Sequence, residues 1–294
     1  MDRQFAIPNP GRGILEIGGP ARAEFLQGLI TNDTARLTAG RAIYAALLTA
    51  QGRYLHDFFV VAQGDTFLID ADATRLPDLA RRLQLYKLRA NVTIALASER
   101  YAIAVAFGSE ALAALGLDEE PGQALAFAGG IAHIDPRRAA LGARLILPRA
   151  TGLAALRERG FVETRPEAYD RLRLAQGVPE GGRDLVPEKS LIMESGFDAL
   201  NGIDWAKGCY IGQELTARMK YRALVKRRLM PVAIAGPAPP PGTPIRQGEA
   251  EVGEMRSALD GIGLALLRLE AVENLSTEVP LLAGTARLTP RANG

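Results

Sequence analysis

The only cysteine in the 294-residue sequence, Cys209, lies in the octet Lys207-Gly208-Cys209-Tyr210-Ile211-Gly212-Gln213-Glu214, between two glycines and close to a cation. One thiol cannot close an internal disulfide. It can serve as a nucleophile, a redox group or one ligand of a metal cluster completed from elsewhere, and each use requires access and a thiolate. The octet is suited to both. Gly208 and Gly212 lack a Cβ, so the backbone there can take positive φ or pass close to a ligand. Lys207 favours the anion, and a helix beginning at Gln213 and running to Tyr221 would bring first-turn amides near the sulfur. A small buried hydrophobe is the structural alternative for a lone cysteine.

The remaining inventory for chemistry is sparse. His56 and His133 share no short ligand spacing with each other or with Cys209, which argues against a self-contained zinc site. His56-Asp57 could perform acid-base work, but neighbours on a strand point to opposite faces and need not act together. Neither a phosphate-binding loop, nor a dinucleotide glycine fingerprint, nor a serine nucleophile elbow occurs. The basic series Arg218, Lys220, Arg222, Lys226, Arg227 and Arg228 follows the octet. It reads either as a solvated charged face or as a surface for an anionic ligand or acidic partner.

Periodicity supplies the elements that must position these groups. Pro20 suits a first helical turn, and Phe25, Leu26, Leu29 and Ile30 form a stripe closed by Thr31-Asn32-Asp33. Gly28 within that stripe implies a close neighbour, either backbone or ligand. A second helix is expected from Thr74 to Arg89, with Leu76, Leu79, Leu83 and Tyr86 on one face. Between the helices, Tyr44 to Thr49, Leu55 to Ala62 and Thr66 to Ile69 read as strands, the last two joined by Gln63-Gly64-Asp65. Asn91 to Leu96, Tyr101 to Phe107 and Ile131 to Asp135 add strands, and Ser109 to Gly116 a short helix. Pro148 to Val178 reads as helical in two segments, with Leu153, Leu156 and Phe161 on the first and Tyr169, Leu172 and Leu174 on the second. Beyond Arg228, short apolar runs at Met230 to Ala235, Glu251 to Met255 and Gly263 to Leu267 read as a small antiparallel barrel, with Ala238 to Pro244 a stiff loop inside it. The fold class is α+β, with an N-terminal domain over residues 1–226 and a barrel over 227–294.

The apolar fraction of 48% with 23% charge supports a folded chain with a sizeable core, and a net charge of +2 argues against wrapping nucleic acid. Met1 to Arg12 lacks the apolar core of a signal peptide, and no stretch approaches the ~20 apolar residues of a membrane span. Direct RNA binding and membrane association are therefore not expected. A cytoplasmic compartment is, and the single cysteine agrees with a reducing one.

The octet followed by Arg218, together with Phe25-Leu26-Gln27-Gly28, Thr31-Asn32-Asp33 and Leu48-Thr49-Ala50-Gln51-Gly52-Arg53, closely resembles the YgfZ-type tRNA-modifying and iron-sulfur assembly proteins, folate-binding relatives of the glycine-cleavage aminomethyltransferase. Tyr169-Asp170-Arg171-Leu172-Arg173, Gly177-Val178-Pro179, Val252-Gly253 and Gly261-Ile262-Gly263-Leu264-Ala265 extend the likeness over most of the chain. The resemblance implies an aminomethyltransferase-like body of two intertwined subdomains around a central opening, followed by the barrel. It also implies work on iron-sulfur clusters, with tetrahydrofolate bound and Cys209 as the working thiol. A shared cluster would draw its other ligands from an iron-sulfur carrier or client protein.

On that resemblance Cys209, Lys207 and Asp57 are the candidate reactive residues, with Cys209 also the candidate metal ligand. Gln27, Asn32, Asp33, Gly208, Tyr210, Gly212, Gln213, Glu214 and Arg218 are the candidate cofactor contacts. Two departures stand out. The aminomethyltransferases carry an Asp-Asp pair where this chain has His56-Asp57, and a folate-contacting glutamate where Leu172-Arg173-Leu174 is followed by Ala175, which moves that contact to Gln176 or removes it. A non-catalytic or weakly catalytic assembly factor is therefore the leading expectation, with a tetrahydrofolate-dependent one-carbon transferase using Asp57 as the alternative.

Overall fold

Strands covered on both faces read as continuous apolar runs, and the middle of the N-terminal half contains two of them. Ile43–Leu48 is buried at every position, and Tyr54–Gln63 at its first eight. The computed structural model describes residues 2–8, 11–276 and 278–291, so residues 292–294 of the expected barrel and parts of Met1 to Arg12 lie outside it. It divides into two compact units, one of residues 1–48, 55–169 and 199–211, the other of residues 49–54, 170–198 and 212–294. The barrel thus forms part of a unit that also takes in three segments from before residue 227.

In the first unit β1 (Gln4–Ala6), β2 (Arg12–Gly18), β3 (Ile43–Leu48), β4 (Tyr54–Gln63), β5 (Thr66–Asp72), β6 (Thr93–Leu96), β7 (Tyr101–Phe107), β8 (Ala124–Phe127), β9 (Gly130–Ile134), β10 (Ala143–Pro148) and β11 (Val162–Glu163) make two sheets. Their orders are β3-β4-β5-β2-β6 and β11-β1-β7-β10-β9-β8. Helices α1 (Arg22–Gln27) and α2 (Leu76–Lys87) cover the first sheet, and α3 (Ala111–Leu115) and α4 (Gly152–Glu158) the second. Alternation along each strand assigns the faces. Phe58 and Val60 of β4 pack toward Leu26, Leu79 and Leu83 of the helices, whereas Val61, with Ile14 and Leu68, meets Ile103, Ile131 and Ile146 of the opposite sheet.

Charge is also buried between the sheets. Asp70 accepts from Arg12 Nε at 2.7 Å and Arg144 Nη2 at 2.8 Å, and Asp135 from Arg137 Nη2 at 2.8 Å. The three guanidiniums surround one ring, with their central carbons 5.5, 4.0 and 4.8 Å from the Phe59 centroid for Arg12, Arg144 and Arg137. Burial pushes both carboxyls up, but the arginines outweigh it and hold them below the usual carboxylate range. His133 shares this layer, 6.0 Å from Phe59. Burial, reinforced by Arg144, depresses it to about 4.

The second unit contains the closed barrel β12 (Arg227–Ala235), β13 (Pro244–Gln247), β14 (Ala250–Leu259), β15 (Ile262–Arg268), β16 (Leu281–Ala283) and β17 (Ala286–Pro290), in the order β12-β15-β14-β13-β16-β17. Val232, Ile245, Met255, Leu267 and Leu288 are among the side chains that fill it. A Cβ on Gly253 would meet Leu266 O, and one on Gly263 would meet Ser257 O, each at 2.5 Å. These barrel glycines are fixed by close strand approach. The same unit holds α6 (Gln213–Tyr221) and α7 (Leu269–Glu273), while α5 (Pro166–Ala175) starts in the first unit and ends in the second. Buried Arg173 on α5 donates to Asp170, Asp184 and Val178 O. No helix among the described residues is long and apolar enough to cross a membrane.

Most expected elements are present, with two corrections: the helical region expected from Pro148 to Val178 is broken by β11 between α4 and α5, which leaves Phe161 off the helix, and α1 is shorter than expected. It ends at Gln27, so Leu29 and Ile30 are buried from the loop that follows it. A Cβ on Gly28 would meet nothing within 4 Å, so close packing does not explain that glycine.

Both histidines resist protonation in the fold. His56 is lowered to about 4 by burial and Arg75, against the support of Asp78. Between about pH 6.5 and 4 the unfolded chain takes up protons that the native chain refuses. Stability is therefore complete above pH 6.5 and falls on acidification toward 4, by about 1.4 kcal/mol per pH unit for each histidine. Urea unfolding at about pH 7, 6 and 5 should show a falling midpoint; an unchanged one contradicts this account.

Candidate functional site

In the first unit, the chain from 202 to 211 has no regular secondary structure, and its shape is fixed by side chains. Thr31 Oγ1 donates to Gly202 O at 2.6 Å, Asp204 N to Thr31 O at 3.1 Å, and Asn32 Nδ2 to Asn201 O at 2.8 Å. Asp204 Oδ1 accepts from Ala206 N and Lys207 N, closing an Asx-type turn. The turn directs Lys207 inward, where its Nζ donates to Gln27 O at 2.8 Å, Ile30 O at 2.6 Å and Asn32 O at 2.8 Å. An ammonium has three donors, and these bonds use all of them. Gln27 O is one of the carbonyls left unpaired where α1 ends, the place where a cation is most favourable. Burial pushes the Lys207 ammonium down to about 8, against Asp33 and Asp204, which hold it up.

Two further contacts complete the mount. Ile211 N donates to Gly28 O at 3.1 Å while its side chain packs on the core, and the Lys207 Nζ lies 5.2 Å from the Tyr210 ring centroid. Between these anchors Gly208 and Cys209 are exposed. A Cβ on Gly208 would meet nothing within 4 Å and its φ is not positive, so this glycine leaves open space beside the thiol without being required by the backbone.

The motifs around residues 25–33 therefore carry residues 207–211 of the octet. Gln27 Nε2 donates to Asp33 Oδ1 at 2.9 Å, and its Oε1 accepts from Thr34 N at 2.8 Å. Asn32 Oδ1 accepts from Asp33 N, while its amide also reaches Tyr44 O. These polar groups are directed at the chain itself and shape the loop that receives Lys207.

Asp57 and His56 act apart, as strand alternation requires. The Tyr44 hydroxyl donates to Asp57 Oδ2 at 2.9 Å, and both residues are buried. His56 points toward α2, where Nε2 lies 2.9 Å from Asp78 Oδ2; because a carboxylate only accepts, Nε2 carries the proton. Gly212, Gln213, Glu214 and Arg218 belong to the second unit. Gly212, at φ 81°, is the residue before α6 and needs the freedom of glycine. Glu214 and Arg218 pair at 2.7 Å on the exposed face of α6, one turn apart.

The first unit also has a cavity of about 210 Å³, lined by Asn32, Tyr44, Glu120, Pro121, Pro136 and Asn201 together with Arg36 and Arg41. Of the candidate cofactor contacts, Asn32 alone is among its lining residues. Glu120 and Asn201 gave no sequence signal, because an exposed loop carboxylate and amide look like any others. Among the described residues no group of three or more His, Cys, Asp or Glu side chains is placed to hold a metal ion.

Comparison with known proteins places this geometry in a family. Residues 12–118 match the family described as the GCVT N-terminal domain, and residues 226–293 the CAF17 C-terminal beta-barrel domain. The glycine cleavage system aminomethyltransferase T from Bartonella henselae superposes with a TM-score of 0.77 at 16% identity, covering 98% of this chain and 84% of that one, which establishes the aminomethyltransferase-like fold. Two curated relatives carry the description iron-sulfur cluster assembly factor IBA57, mitochondrial. The human protein is 36% identical over 90% of this chain and 77% of its own length, and the mouse protein 34% over 94% and 82%. The cytoplasmic compartment expected from the sequence is corrected by these relatives, which are designated mitochondrial. The YgfZ-type assignment likewise gives way to a related group. On fold, barrel and full-length similarity together, the chain belongs to the IBA57 family of iron-sulfur cluster assembly factors.

Proposed function

We propose that this chain works in iron-sulfur cluster assembly by lending the Cys209 thiolate as one ligand of a cluster in transit, with the other ligands supplied by a carrier or client protein. The observation that carries the reading is an exposed thiol on a loop whose every anchor is internal, without a neighbouring group of metal-binding side chains among the described residues. One thiolate holds one iron and leaves the rest of the cluster to another protein. Transfer then requires only ligand exchange: a thiolate bonds to iron as another leaves, Cys209 gives up its proton to solvent, and no electrons change hands. In this reading Lys207 acts as a positioning residue. Its ammonium holds the loop, and its donors are spent on carbonyls rather than on the sulfur.

Tetrahydrofolate is a second proposal, resting on the cavity of the first unit. Glu120, which pairs with Arg41 at 3.0 Å, and Asn201, which donates to Pro136 O, are the polar groups that would meet the amino-pyrimidine edge of a pterin, with Pro121 and Pro136 as apolar walls. At about 210 Å³ the cavity is smaller than the roughly 300–1,000 Å³ of ordinary ligand pockets, which restricts this proposal to the ring, with the tail outside. When bound, this cofactor would supply one-carbon carrier chemistry.

Anaerobic cluster reconstitution with an iron-sulfur carrier should give a cluster shared between the two proteins for the wild type and none for Cys209→Ser, at unchanged far-ultraviolet circular dichroism. Equal yield from the variant refutes the ligand role. Lys207→Met should raise the exchange rate of the Ile211 amide by about tenfold or more and lower the cluster yield, since hydrogen bonds to charged groups contribute about 1.5–3 kcal/mol each. Unaltered exchange would mean that the ammonium does not hold the loop. Calorimetric titration with tetrahydrofolate should show binding that Glu120→Gln weakens by about tenfold, roughly one charge-assisted hydrogen bond; equal affinity removes the cavity from consideration.

A further inference from the structure

The basic series after the octet takes no part in the site above, and in the second unit it borders a groove. The groove has a volume of about 880 Å³ and an apolar floor of Leu191, Leu215, Met219, Leu224 and Leu269. Leu215 and Met219 are one turn apart on α6, so a single helix face supplies two of the five. Leu224 in this floor is 44% exposed, and Tyr221, three residues before it in the chain, 72%. Surface of this kind marks an interaction site more often than chance.

The charges above this floor are uneven. Glu194 at the wall is already paired with Arg227 at 3.0 Å. Lys226 and Arg268 line the groove, and neither makes an ion pair among the described residues. Glu270 is the single opposing carboxylate without a pair there. An apolar trough under a net positive rim complements a segment that carries large apolar side chains flanked by carboxylates.

We infer that this groove docks an acidic amphipathic segment of a partner protein, two or three of whose apolar side chains enter the floor while Asp or Glu residues meet Lys226 and Arg268. A concave apolar floor favours inserted side chains over the phosphates of RNA or the flat face of a bilayer. The inference does not depend on cluster binding by Cys209, and each can fail alone.

The test is selection from a displayed library of random peptides of about 14 residues, roughly four helical turns, with the full chain as bait. Retained peptides should carry net negative charge and two or more large apolar residues. Synthesised and labelled, they should bind more weakly as salt rises. Leu224→Asp should weaken them by about tenfold or more, as loss of a central apolar contact does. Lys226→Glu combined with Arg268→Glu should reverse the preference toward Lys-substituted analogues of the same peptides. Because these positions are exposed, the variants should melt with the wild type, which separates lost docking from lost folding. Failure to retain any peptide, retention of neutral or basic peptides, or binding indifferent to all three substitutions overturns the inference. So does competition by single-stranded RNA or anionic phosphatidylserine vesicles that outlasts the charge reversal, or occupation of the groove by a second copy of the chain, seen as a dimer in light scattering that Leu224→Asp dissolves.

Discussion

Carboxylates buried in a dry layer must be answered by guanidiniums, and each unit of this protein is organised around that requirement. Asp70 stands between Arg12 and Arg144, and Asp135 accepts from Arg137, in the layer where the two sheets of the first unit meet. Asp184 accepts from Arg173 and from the Ser257 hydroxyl in the second. Removing one partner of such a pair leaves an uncompensated charge and costs about 3–5 kcal/mol. Apolar packing alone would let two sheets slide over one another. Directional bonds from Arg144 on β10 to Asp70 on β5 fix which residue of one sheet lies over which residue of the other.

The site borrows this rigidity without using the same residues. Segments near residues 27–33 and 201–211 are far apart in sequence, and they are joined by Thr31, Asn32 and Lys207, each bonding across the gap to backbone. Backbone carbonyls are insensitive to side-chain identity, so the loop holds its form while the thiol end stays bare. The half-buried Lys207 and Ile211 thus hold the loop, while Gly208 and Cys209 remain exposed.

Much of this architecture was legible where one physical signal dominated. The spacing of Leu76, Leu79 and Leu83 marks α2, the Gln63-Gly64-Asp65 turn marks the β4–β5 hairpin, and Gln213 to Tyr221 forms the expected helix. The strands Gln4–Ala6 and Ala143–Pro148 carry no clear sequence signal, the first being three residues long and the second including a buried arginine. Buried ion pairs are opaque to sequence in general, since Arg144 and Arg137 read as surface residues until Asp70 and Asp135 are brought against them by contacts across the fold. The octet was found from its cysteine and glycines. The job of Lys207 was not, because its partners are carbonyl oxygens, which every residue has.

The ring of Phe59, with three cations about it and two anions between them, has a consequence for how this sequence can drift over evolutionary time. Losing the Asp70 carboxylate by itself takes the counter-charge from two guanidiniums, and losing Arg144 by itself leaves that carboxylate with Arg12 as its remaining ion-pair partner. A joint exchange of carboxylate and arginine for neutral groups of similar bulk escapes both penalties. Substitution in this layer is therefore epistatic: stepwise paths cross a valley while paired paths do not, and descendants should retain the whole constellation or replace it together.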